Sequence, residues 1–216
     1  MSTDAAGTRP TRGPVHRRSR RRDGAEGNAR LTGATALVLL GLLAAEGFTI
    51  LQVHQLLTPH VFIGMVLVGP ILLKTASTLW RFARYYTGAP AYREKGPPPA
   101  LLRLLGPFVV VLTFAVMGTG IALLLGPTSW RSSMLLLHKA SFVLWFGAMA
   151  LHVLGHLADT ARLAPRDWLR RSRRDVEGAG LRQWALAASL AVGLVLAAVV
   201  TPHVGAWLVA GGFTNQ

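Results

Sequence analysis

Residues 133–157 read SMLLLHKASFVLWFGAMALHVLGHL, a run long enough and apolar enough to cross a bilayer as one helix. The run nevertheless carries three histidines, His138, His152 and His156. A polar ring inside hydrocarbon is costly, so an intramembrane histidine is a functional candidate by default. From His138 to His152 is fourteen positions, which on an α-helix leaves the rings roughly 40° apart around the axis and about 21 Å apart along it. One face of one helix then offers two imidazoles, one toward each membrane surface. Ligation of two metal centres stacked across a bilayer requires that arrangement.

The remaining chain fits the same environment. Hydrophobic residues make up 51% of the 216 positions, charged residues only 15%, and the apolar residues come in blocks of spanning length. The expected fold class is all-α: an integral membrane helical bundle with five transmembrane helices. The net charge of +14 would point to nucleic acid in a soluble chain. Here arginine gathers in short segments between apolar blocks, so lipid is the expected partner and nucleic acid is not. With no cysteine in the chain, disulfides, thiolate zinc sites, cysteine-held iron–sulfur clusters and covalently attached haem are excluded, leaving imidazole as the expected metal ligand.

Residues 1–30 are polar and Arg-rich, and are expected to form a disordered basic tail. The spans are expected at 31–53, 60–86, 104–125, 133–157 and 183–204, within a transmembrane domain over 31–209 and before a short tail at 210–216. The first block also reads as a signal sequence, with a basic stretch, an apolar core at 34–43 and small residues Ala44 and Ala45. An uncleaved helix is preferred, because apolar residues resume at 48–51. This block holds Glu46, the one acidic residue inside any apolar block; the second holds Lys74 and Pro70. Residues 87–103 read as a loop by their Gly, Pro and charges. The Gly118–Thr119–Gly120 stretch of the third block allows close approach of a helix or a flat ligand, plain helix packing being the simpler reading.

Eight basic residues lie in the N-terminal tail, five between Arg81 and Arg103, and seven in 162–182, whereas Arg131 stands alone on the other side. The positive-inside rule therefore expects an inner-membrane protein with its N-terminus cytoplasmic and its C-terminus outside. In that topology the second and fourth spans run in the same direction, and His60 and His138 lie at one depth near the outer surface. Two imidazoles on facing helices form an axial pair for a b-type haem. Fourteen residues inward, Lys74 is expected opposite His152, with His156 one turn beyond. Lys74 could ligate iron as a neutral amine, pair with a haem propionate, or pair with Glu46. His54 and His203, at the outer boundary, are interfacial or replace His60. Phe142, Trp145 and Phe146 are lipid-facing, core or haem-packing rings.

A His-x13-His pair within one span resembles the haem-ligating helices of the transmembrane cytochrome b superfamily, which includes respiratory cytochrome b, bacterial b561-like proteins and hydrogenase or formate dehydrogenase cytochrome subunits. The resemblance covers residues 59–157. It implies a four-helix haem-binding core, one or two haem b groups, and electron transfer between quinone and a redox partner protein. By position His138 and His152 match the helical pair and His60 the outer partner. Lys74 stands where a fourth histidine is expected, so the departure bears on a second haem. His60, His138, His152 and His156 are the candidate metal ligands, and Lys74 joins them as a cofactor-binding candidate. No nucleophile elbow, phosphate loop or acidic metal cluster occurs in the chain. Two other classes compete: a proton-coupled transporter, and a non-catalytic membrane subunit, each using Glu46, Lys74 and the histidines.

Overall fold

The structure is a computed structural model and describes residues 14–94, 96, 100–163 and 177–205. Expectations for 1–13, 164–176 and 206–216 lie outside the described residues. Six α-helices and two 3₁₀ turns account for the described elements: α1 (Pro14–Leu51), α2 (Leu57–Tyr86), a single turn α3 (Pro90–Arg93), α4 (Ala100–Leu125), α5 (Arg131–Leu163) and α6 (Ala179–Val200), with 3₁₀ turns at Thr128–Trp130 and Thr201–Val204. Five of the helical segments are long and apolar enough to cross a membrane, namely Gly24–Leu51, Leu57–Tyr86, Leu102–Leu125, Thr128–Leu157 and Ala179–Val204. Large apolar side chains cover their outer surfaces; Leu104 is 79% exposed, Leu136 70% and Leu181 77%. Such a surface suits lipid contact.

The disordered tail expected over 1–30 is corrected from Pro14 onward, because α1 begins there, with proline at its first position. Tertiary contacts hold residues 24–32 in the helix. Arg30 Nε donates to Glu26 Oε1 one turn back at 3.4 Å, Asn28 Nδ2 donates to the Ser77 carbonyl at 3.1 Å, and the Thr32 hydroxyl donates to Ser77 Oγ at 3.0 Å. Small residues line the same stretch of α1: Ala25, Gly27, Gly33, Ala34 and Thr35 are all buried.

Helices α1, α2, α4 and α5 form a ring in which α1 packs on α2 and α5, α4 packs on α5, and α2 touches α4 only lightly. Helices α2 and α5 are therefore diagonal neighbours across the interior. Helix α6 lies outside the ring against α2, and glycine makes that seam close. A Cβ on Gly69 would overlap the Ser189 carbonyl, and one on Gly193 would overlap the Val66 carbonyl. Pro70 has no N–H to give that same Val66 carbonyl four residues back, so the proline and Gly193 act at one point of the crossing.

Helices α4 and α5 are joined by a different device. Val109 and Leu112 of α4 pack with Ala148 of α5, while Trp145 Nε1 donates to Thr113 Oγ at 2.9 Å. Trp145 belongs to the α4–α5 seam, whereas Phe146 is 61% exposed.

Candidate functional site

The α1–α2 hairpin fixes two polar contacts with one register. Glu46 of α1 meets His60 of α2, and Thr32 of α1 meets Lys74 of α2. Each pair is fourteen residues along its helix from the other, so the antiparallel alignment that makes one contact makes the second. The same fourteen-residue step separates His138 from His152 on α5. Across the ring, His138 stands within electrostatic reach of His60, and Lys74 within reach of His152. The diagonal helices thus carry two levels of ionisable groups.

At the first level both rings are held through Nδ1. His60 Nδ1 lies 3.0 Å from Glu46 Oε1 and 3.1 Å from Thr49 Oγ. The Thr49 proton is committed elsewhere, to the Glu46 carbonyl at 2.6 Å, so its oxygen is left to accept. His138 Nδ1 lies 3.1 Å from the Val116 carbonyl and 3.0 Å from Thr119 Oγ. That hydroxyl likewise donates to its own helix, to the Ala115 carbonyl at 2.7 Å. The Val116 carbonyl only accepts, so Nδ1 carries the proton in the His138 ring and donates it, which leaves His138 Nε2 with its lone pair. A histidine ready to bind a metal has this arrangement, one nitrogen fixed by an acceptor and the other presented. Each ring is steadied by a different neighbour, His60 by α1 and His138 by α4.

Room for these rings comes from glycine. A Cβ on Gly120 would stand 3.2 Å from His138 Cε1, and one on Gly64 would stand 3.4 Å from Glu46 Oε1. The Gly118–Thr119–Gly120 stretch therefore seats a histidine, its threonine holding the ring and its second glycine making space. His54 and His203, which could have replaced His60, are both exposed, and His203 Nδ1 bonds the Val200 carbonyl of its own turn at 3.1 Å.

The second level is built differently. Lys74 Nζ donates to the Thr32 carbonyl at 3.0 Å. The expected alternative of a Glu46–Lys74 pair is thereby corrected: Glu46 is a hydrogen-bond partner of His60, four turns along α1 from Thr32. His152 and His156 stack at 4.8 Å between ring centres, tilted by 58°. The His152 Nδ1 atom is buried without a hydrogen-bond partner among the described residues.

Among the described residues no group of three or more His, Asp or Glu side chains could hold a metal ion by itself. The first level offers two imidazoles, which is the protein donor set that an axially ligated porphyrin iron takes.

No family, curated protein or solved structure matches the chain. Sequence reasoning selected His60, His138, His152, His156 and Lys74, and the fold brings them together in two levels. It missed Thr49, Val116 and Thr119 as partners of the rings. A hint was present for two of them: Thr49 lies three residues from the lone buried acid, and Thr119 sits between two glycines.

Proposed function

We propose that this chain is a membrane b-type cytochrome, carrying electrons through non-covalent haem between a quinone pool and a redox partner protein. The observation that supports it most is the pair of Nδ1-anchored histidines on diagonal helices, His60 and His138, each without a hydrogen-bond partner at Nε2 among the described residues. When bound, haem b supplies one-electron iron chemistry. His60 and His138 would hold its iron. Glu46, Thr49, Thr119 and the Val116 carbonyl fix the orientation of those rings. Burial of the macrocycle between helices would hold it in place. His152, His156 and Lys74 form the second level, where a second haem is expected by resemblance. The inner membrane, with the N-terminus in the cytoplasm, is the orientation that the arginine distribution favours.

The test is the visible spectrum of the chain purified in detergent from haem-replete cells. A Soret band with a sharp reduced α band, and one or two haems per chain, supports the proposal. A colourless preparation favours the transporter or non-catalytic subunit.

A further inference from the structure

Helix α5 ends its membrane span with two imidazoles one turn apart. His152 and His156 stand four positions from each other on the helix, and the span closes at Leu157. Their ring centres are 4.8 Å apart and their planes are tilted by 58°. A tetrahedral Zn²⁺ lies about 2 Å from each ligating nitrogen, so two rings that share one ion have centres about 5 Å apart. His152 Nδ1 is buried without a hydrogen-bond partner among the described residues. A buried ring nitrogen in that condition calls for a water or an ion to satisfy it. Lys74, within electrostatic reach of His152, aims its amine at the Thr32 carbonyl of α1 and not at that nitrogen. Neutral imidazole is a preferred donor for zinc and copper.

The residue order continues the row. Asp159 follows three residues after His156 on the same helix, and its position falls about 20° around the axis from that of His152. Two imidazoles and a carboxylate are a zinc donor set that leaves a position for water. The end of a span also gives an ion an entry path from water. We propose that His152 and His156 form a two-imidazole clamp for an exchangeable divalent transition-metal ion, Zn²⁺ by donor preference, with Asp159 as its carboxylate donor. The clamp gives the second level a different occupant from the haem expected there by resemblance, and it does not depend on ligation by His60 and His138.

Competition against a chromophoric zinc chelator tests it, on the full chain purified in detergent from haem-replete cells without a polyhistidine tag. Wild type is expected to take one Zn²⁺ per chain. His152→Gln and His156→Gln are each expected to weaken binding at least about tenfold, the lower end of what even an outer-shell change costs a metal site. Asp159→Asn is expected to weaken it by a smaller factor, and His203→Gln, which alters an exposed imidazole, not at all. A wild type without saturable zinc binding, or binding that survives both histidine substitutions unchanged, overturns the inference. Two haems per chain, one of them lost in His152→Gln, overturn it and leave the proposed cytochrome standing. A colourless wild type whose zinc is lost with His152 or His156 does the reverse. If the histidine variants fail to accumulate, Cu²⁺ bound to wild type decides by electron paramagnetic resonance: hyperfine splitting from two ligating nitrogens is expected, and splitting from one or none refutes the clamp.

Discussion

The two levels of the bundle interior use the same spacing and differ in finish. At the His60–His138 level each ring has its Nδ1 held by side chains or backbone of a neighbouring helix. At the His152–Lys74 level the amine of Lys74 serves the α1 backbone, and His152 Nδ1 is buried without a described partner. A repeated interval therefore aligns groups in depth but does not make a site. The first level differs in the side chains that stand behind its histidines.

The comparison can be broken most severely at its finished end. Replacing His60 or His138 by alanine is expected to abolish the first-level haem, read as loss of one haem per chain by pyridine haemochrome assay. Replacing His152 leaves that haem in place. If His152→Ala removes the haem and His60→Ala does not, the ranking of the two levels is inverted. A constructive change comes next. Lys74→His would place an imidazole opposite His152 at matched depth, and the haem count is expected to rise where the wild type holds one per chain. An unchanged count shows that the second level lacks the space or the supporting acceptors.

Smaller effects separate scaffold from site. Gly193→Ala forces α6 off the Val66 carbonyl and is expected to cost about 1–3 kcal/mol, read by thermal unfolding in detergent. Gly118→Ala adds a methyl where nothing lies within 4 Å and is expected to stay within about 0.5 kcal/mol of wild type. Thr113→Val removes the acceptor of the Trp145 indole and is expected to cost about 0.5–1.5 kcal/mol, with the haem spectrum unmoved. A spectral shift from Thr113→Val would show that the α4–α5 seam is coupled to the ligands.

Much of this architecture could be read from residue order. Apolar runs of spanning length are set by bilayer thickness, and all five are helices of the structure. The shared fourteen-residue interval of His60 with Lys74 and of His138 with His152 was plain in the residue order. The helical extension of α1 through residues 14–30 was not legible, because Asn28 and Thr32 find their partner at Ser77 on another helix, a contact that local polarity cannot announce. The role of Glu46 was half legible. A lone acid in an apolar block marks a task, but its distance in sequence from both His60 and Lys74 does not choose between them. The choice needs the α1–α2 register, which small residues such as Gly33, Ala34 and Thr35 set by burial. Thr49 and Thr119 look like ordinary helix residues until the rings they hold are in view.

The central claim is that His60 and His138 jointly clasp one iron porphyrin. Reduced-minus-oxidised difference spectra of the purified wild type, His60→Ala and His138→Ala proteins address it most directly. The account predicts a sharp α band in the wild type that is lost to the same extent in each single variant, because removing either axial nitrogen undoes the same site. A wild type without the band, or either variant retaining it at full intensity, contradicts the account.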